Sequence, residues 1–509
     1  VLARNPHYGL GITKLQQGFR GLGIHRVSLA QVYKKGRLTK KELIGHLSTQ
    51  LGYPPTAGQL EAFQQLTDFL ARAGNDQVFV LKGYAGTGKT TLVKAIVKTL
   101  AMTSLKTVLL APTGRAAKVL SAYAGQPAWT IHKRIYYTES GSFGMQHSLQ
   151  RNLFKKTLFI VDEASMIGNE NEATEHSLIE DLIQYVQQGD DCRLMLIGDD
   201  AQLPPVGVET SPAIDREYLQ KTFYLNVTEV RLHEVLRQAG ESGILWNATR
   251  LREQIMAEQP VFRVFQTEGF PDFKRITGYE LEDALQSAYS KYGSEEVLVI
   301  TRSNKNAVQY NRQIRVRIHW QENEIAGGDH LMVVKNNYFW LDESSGPGFI
   351  ANGDTLEISH LGKTFERDAF RFADARVRML EYPDQPELEV RLMLNTLDSD
   401  LPSLPWPDQQ KLIARVEEDY ADVRLKADRK KAMRKDPFLQ ALQIKFAYAV
   451  TCHKAQGGQW KAVFVDQGYV TEEMMNKGYL RWLYTALTRA TEKVYLVNFP
   501  DALFHDGQG

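Results

Sequence analysis

The chain of 509 residues is long enough for three or four domains, is 43% hydrophobic and 24% charged, and has a formal net charge of +1. This is an ordinary globular composition, and with so little net charge any polyanionic partner must be held by local patches. Two cysteines, Cys192 and Cys452, exclude a disulfide framework and a cysteine-rich zinc module. No apolar run is long enough to predict a membrane span, and the start, VLARNPHYGLGITKL, has no secretory cleavage pattern. It also lacks an initiator Met, so the numbering is expected to begin inside a longer natural chain.

Residues 1–50 are rich in Gly and Lys and read as an N-terminal extension of unknown role, with one helix predicted in TKKELIGHLSTQL. From residue 51 the pattern is α/β. AGQLEAFQQLTDFLARAG has helical spacing, QVFVLKG is a buried strand, TLVKAIVKTL is a helix, and KTVLLAPT, TLFIVDEA and RLMLIGDD are further apolar strands. Strands that alternate with helices and end in small, polar or acidic residues predict a parallel sheet with its site at the strands' carboxyl ends. EEVLVITRSN, QIKFAYAVT, KAVFVDQG and KVYLVNF form a second set of the same kind. Between them DHLMVVKNNYFW, GDTLEISHLG and VRMLEYP alternate like antiparallel strands of a small β-barrel, and QQKLIARVEEDYADVRLKADRKKAMRK reads as one long charged helix. The fold class is therefore α/β, with two parallel-sheet lobes and a β module plus helical arm inserted in the second.

GYAGTGKT, residues 83–90, follows a strand and precedes a helix, as G-x-x-x-x-G-K-[ST] requires. Gly83, Gly86, Thr87, Gly88, Lys89, Thr90 and Thr91 form the expected phosphate cradle, with Lys89 on the β- and γ-phosphates and Thr90 on Mg²⁺. LFIVDEAS places Asp162 as the second metal-holding group and Glu163 as the base that activates water. A water-activating glutamate points to ATP hydrolysis rather than small-molecule phosphorylation. Gln202 in LIGDDAQLPPVG is placed to sense the γ-phosphate, against a plainer reading as a solvated loop amide.

The ordered series GYAGTGKT, APTGRAAKVL, TIHKRIY, VDEAS, GDDAQLPPVG, LHEVLRQ, AVTCHKAQG and LYTALTRA resembles the motifs of superfamily 1B DNA helicases, in wording closest to the RecD and Dda group, over Gln59 to Phe499. The resemblance implies two RecA-like lobes over 51–136 with 157–235 and over 236–325 with 441–509. It implies a hairpin wedge at 137–156 and an SH3-like barrel with a helical arm at 326–440. It further implies ATP-driven, 5′-to-3′ movement on single-stranded DNA, duplex separation at single-strand/duplex junctions, and a cytoplasmic, nucleoid-associated setting in replication, repair or recombination. Gln59 then reads adenine, Arg237 and Arg489 meet phosphate, Gln456 and Gly457 face the nucleotide, and Pro112, Thr113, Thr130, His132, Thr451, His453 and Lys454 contact the strand. Phe143, in SGSFGM, is the expected tip of the wedge, against a ring packed on its own hairpin.

Other readings are weaker. EYPDQPELEVRL loosely resembles a metal-dependent nuclease motif but lacks the lysine after its second carboxylate. A non-enzymatic scaffold conflicts with an intact set of catalytic residues. An RNA motor of the same architecture stays open, because nothing in one sequence reads 2′-hydroxyl preference. RLKADRKKAMRK is first a solvated helix face, with a phosphate backbone or a replication or repair protein as the alternative partners. Cys452 and His453 have no ligand partners at metal spacing, so AVTCHKAQG is expected to be a strand end and a helix start capped by Thr451.

Overall fold

The computed structural model describes residues 38–72, 74–138, 147–169, 176–234, 242–341 and 349–505. Arg237 and Phe143 lie outside the described residues. The first lobe runs α1 (Lys40–Leu51), α2 (Ala57–Ala71), β1 (Gln77–Gly83), α3 (Lys89–Leu100), β2 (Lys106–Ala111), α4 (Gly114–Ala124), β3 (Ala128–Thr130), α5 (Ile131–Ile135), β4 (Tyr136–Thr138), β5 (His147–Leu149), β6 (Lys155–Val161), α6 (Leu178–Gln187), β7 (Asp190–Gly198), α7 (Arg216–Phe223) and β8 (Asn226–Leu232). Six of these strands make a parallel sheet in the order β3-β2-β6-β7-β1-β8. Central β1 is buried at every position, as a strand covered on both faces must be. β8 escaped the sequence reading because NVTEVRL mixes charges with its apolar residues, which an edge strand tolerates. β4 and β5 pair antiparallel, forming the base of the predicted insertion.

The helix assigned to the N-terminal extension belongs to this lobe. α1 buries Leu47 and Leu51 in one apolar cluster with Phe63 of α2 and Ile96 of α3. Its reciprocal Thr39–Glu42 capping box marks where the helix begins.

The second lobe continues with α8 (Gly243–Met256), β9 (Phe273–Ile276), α9 (Leu281–Tyr292), β10 (Val297–Thr301) and α10 (Asn304–Arg317). The insertion then supplies β11 (His330–Val333), β12 (Thr355–Arg367), β13 (Phe370–Met379), β14 (Leu388–Met393), α11 (Trp406–Asp419), α12 (Lys426–Met433) and β15 (Leu442–Phe446). The lobe closes with β16 (Ala449–Thr451), α13 (Cys452–Ala455), β17 (Trp460–Asp466), α14 (Lys477–Leu487) and β18 (Ala490–Val497). Its parallel sheet has the order β16-β10-β17-β18-β9, and β11 to β15 close a five-stranded barrel.

Two expectations change here. QIKFAYAVT is not one strand: β15 completes the barrel against β11 and β14, whereas β16 pairs with β10. The chain changes sheets at Ala447–Tyr448, where the Tyr448 hydroxyl donates to Asp329 at 3.2 Å and accepts from the His330 amide at 3.1 Å. Asp329 also takes a bidentate pair of 2.8 Å bonds from Arg315 of α10, so the junction is held by a buried ion pair with its hydrogen bonds satisfied. The charged arm is two helices rather than one. Leu412, Val416 and Met433 share an apolar cluster with Phe370 and Phe372 of the barrel, and only a turn between α11 and α12 brings all three there. Lys426, Lys430 and Lys431 remain exposed on the second helix, with Lys435 just beyond it. EYPDQPELEVRL is the turn after β13 together with most of β14.

Candidate nucleotide site and strand-binding face

The phosphate loop leaves the end of β1, between β7 and β8, and enters α3. Gly88 caps that helix at φ +84°, a left-handed conformation that costs an L-residue about 1–2 kcal/mol. Lys89 folds over the loop, donating to the carbonyls of Gly83 at 2.6 Å and Tyr84 at 3.0 Å, with Asp199 Oδ2 at 3.8 Å. Thr87 is buried and donates to the Tyr84 carbonyl at 2.8 Å.

Carboxylates from two neighbouring strand ends face this loop. Asp162 accepts the Glu163 amide through Oδ1 at 2.9 Å, and burial, with Glu163 adding to it, pushes its carboxyl up to about 6. Glu163 sits at φ +54°, strained for a residue with a Cβ and of the kind that collects at active sites. Asp199, at the end of β7, is buried and pushed up by that burial. The hydroxyl of Thr90 and the carboxylate of Asp162 are hard oxygen donors suited to Mg²⁺, and a divalent ion would offset the cost of a buried carboxylate.

The second lobe closes on this loop through residues the sequence reading did not single out. Tyr484 of α14 is fully buried, accepts the Ala85 amide at 2.8 Å and donates to Asp199 Oδ2 at 2.7 Å. Thr485 accepts the Leu203 amide at 2.8 Å, and Gln456 donates to the Leu203 carbonyl at 2.8 Å. Tyr84 itself packs in the second lobe's apolar cluster, its hydroxyl accepting from Arg231 at 3.1 Å. Arg231 in turn pairs with Asp200 at 2.7 Å. Tyr484 and Thr485 lie inside LYTALTRA and Asp199 inside GDDAQ, so the motif strings carried them, but a string does not say that a hydroxyl crosses between lobes.

The predicted site residues fall in three groups. Gln59, Lys89, Asp162, Glu163, Gln202 and Gln456 gather at the cleft. Gln59 is fully buried, completes the cap of α2 and donates to the Thr87 carbonyl at 3.2 Å, so its amide braces the phosphate loop. Gln202 is 5% exposed, and its amide oxygen meets no donor among the described residues. Gly457, at φ +74°, brings the lobes into contact: a Cβ there would stand 3.0 Å from Ala116 Cβ and 3.2 Å from Thr113 Oγ1. Arg489 is buried and bonds the carbonyls of Thr485 at 3.1 Å and Gly458 at 3.4 Å, within its own lobe.

The third group lies at the ends of β2 and β3 and around α13. Thr113 caps α4 and Thr130 caps α5 through their hydroxyls, with Pro112 at the end of β2; the His132 ring lies tilted against Tyr136, its centroid 5.7 Å away. Thr451 holds the cap position of α13 in extended conformation, but its hydroxyl makes no capping bond, contrary to expectation. Cys452 is buried with its thiol pushed up to about 12, so it is not a nucleophile at neutral pH, and desolvation lowers His453. Lys454 is held down to about 8 by burial and then by Lys445. The barrel sits against α4: Asp354 Oδ1 would stand 2.3 Å from a Cβ on Gly114, Lys118 donates to the Leu380 carbonyl at 2.5 Å, and Arg115 lies 3.9 Å from Glu381.

A family profile described as an AAA domain matches residues 55–259, and one described as the UvrD-like helicase C-terminal domain matches 446–497. An uncharacterised protein, R530, of Acanthamoeba polyphaga mimivirus is 25% identical over 504 residues, covering 86% of this chain and 98% of that one. The ATP-dependent RecD2 DNA helicase of Deinococcus radiodurans is 25% identical over 90% of this chain, which spans 53% of that protein. The ATP-dependent DNA helicase dda of Enterobacteria phage T4 is 32% identical over 35% of this chain and 39% of its own. This chain thus spans nearly all of the viral relative but about half of RecD2 and less of Dda. A phosphate loop, flanking carboxylates and a second parallel-sheet lobe closing on them define a two-lobed P-loop nucleotide hydrolase. In its two matched profiles and in these relatives the chain resembles the superfamily 1B helicases of the RecD and Dda type.

Proposed function

We propose that this chain couples Mg²⁺-dependent ATP hydrolysis to 5′-to-3′ movement on single-stranded DNA and to duplex separation at single-strand/duplex junctions. The observation that carries the reading is the Tyr484 bridge from the second lobe to the phosphate-loop amide of Ala85 and to Asp199. A change at the phosphates is thereby felt directly by the lobe that bears Thr451, His453 and Lys454.

In this mechanism Lys89 leaves the loop carbonyls for the β- and γ-phosphates, and Glu163 takes the proton of the attacking water. Gln202 orients that water with its otherwise unmatched amide oxygen, and Arg237 and Arg489 meet the charge that develops on the transferred phosphoryl group. Thr90 and Asp162 would hold Mg²⁺, which neutralises phosphate charge when bound. Pro112, Thr113, Thr130 and His132 hold the strand on one lobe and Thr451, His453 and Lys454 on the other, so closing and opening at Gly457 shortens and lengthens the span between the two grips. Phe143 is the proposed wedge. The exposed lysines of α12 are available to a nucleic-acid backbone or a protein.

The direct test is strand displacement on 5′-tailed and 3′-tailed DNA and RNA duplexes. The expected result is ATP-dependent release from the 5′-tailed DNA alone; release from RNA alone makes the chain an RNA motor, and release from a 3′ tail reverses the polarity. A pH series tests the strand grip. Lys454 is cationic below about 8, so oligonucleotide affinity should fall as pH rises from 7 to 9, and Lys454→Met should flatten that dependence.

A further inference from the structure

The catalytic cleft is rich in carboxylates, with Asp162, Glu163, Asp199 and Asp200 all within the strand ends that surround the phosphate loop. Binding a nucleotide polyphosphate there requires cations from the closing lobe. Among the described arginines beside the cleft, Arg231 is committed to Asp200 at 2.7 Å, and Arg489 to the carbonyls of its own lobe. Arg252 differs. It rises from α8 of the second lobe, its guanidinium carbon lies 4.5 Å from the ring centroid of Tyr84, and its one hydrogen bond among the described residues is a long 3.5 Å contact to the His233 carbonyl. Among the described residues it meets no carboxylate, although it lies close enough to Tyr484 to act on that hydroxyl electrostatically.

We infer that Arg252 is a nucleotide-phosphate ligand, a cation supplied by the second lobe in addition to Arg237 and Arg489. The inference rests on the ATPase reading above. Stacked on the second residue of the phosphate loop, Arg252 is stored beside the loop that must hold the phosphates. A guanidinium held by a ring face and one long bond gives up little when it turns to phosphate, and it presents a planar fork that lysine lacks. No covalent chemistry is asked of it: it stabilises charge on the transferred phosphoryl group and is absent from the ADP contacts. No motif in the sequence pointed to it, because NATRLREQ reads as an ordinary charged helix face.

The test compares wild type, Arg252→Ala and Arg252→Lys with saturating oligo-dT. Turnover, fluorescent-ADP affinity and melting temperature are measured for each. The expected result for Arg252→Ala is a fall in kcat of ~10³-fold, the lower range for such arginines. ADP affinity should stay within about threefold, and added guanidinium should restore part of the turnover. Arg252→Lys should fall between the two. Turnover of Arg252→Ala within about threefold of wild type overturns the assignment. So does parallel loss of ADP affinity and melting temperature without guanidinium rescue, which would make the contact packing only. A wild-type chain that hydrolyses no ATP with any nucleic acid overturns the motor reading itself, and the arginine's role with it.

Discussion

Replacing Lys89 with alanine should lower nucleic-acid-stimulated ATP turnover by ~10³-fold or more, above the ~10²–10³ typical of removing one neutral oxyanion donor. The reason is charge. Lys89 is the one described ammonium on the phosphate loop, and four carboxylates crowd the same strand ends. Without it the polyphosphate meets Asp199 and Asp162 with less compensation, in a site whose burial already disfavours carboxylate charge. The fold should survive, because Asp199 keeps its bonds from Tyr484 and from the Ala201 amide. Oligonucleotide binding should also survive, since Thr113, Thr130 and Lys454 make no hydrogen bond to Lys89. The comparison is steady-state turnover against oligonucleotide affinity in the same preparation. Undiminished turnover would remove the site assignment.

Glu163→Gln is the second large effect. The amide keeps the shape of the side chain and loses the base, so kcat should drop ~10²–10⁴-fold while ATP still binds. Removing the Glu163 charge also removes one of the two causes that push Asp162 up to about 6, leaving burial alone. Glu163→Gly separates chemistry from strain. It is as inactive, yet it should be no less stable than wild type, because the left-handed conformation at φ +54° costs a side chain about 1–2 kcal/mol against the ~0.5–1 kcal/mol entropic cost of glycine. Single-turnover hydrolysis with thermal melting reads both. A Gln variant that turns over like wild type would show that another group activates the water.

Much of the site was legible because its chemistry is local in sequence. A strand, a glycine-rich turn and a lysine at a helix start follow one another within residues 77–89, and a metal-holding carboxylate must sit at the end of an apolar strand. What was not legible is relational. β8 carries Glu229 and Arg231 among its apolar residues and so lacked a strand's usual apolar signature. The arm of residues 406–433 has continuous helical spacing, and its turn follows only from the barrel surface its apolar residues must cover. QIKFAYAVT is a good strand by composition, and the two sheets it serves exist only once β11 and β10 are in place.

The sequence by itself determined the two α/β lobes, the phosphate loop, the carboxylates and the order of motifs, since each depends on residue type and short spacing. The tertiary structure alone decided which residues bring the lobes together. Tyr484 reaches Ala85 across 399 positions and Thr485 reaches Leu203 across 282. Hydrogen bonds over such separations are set by how two sheets pack, and no periodicity in either segment records the partner.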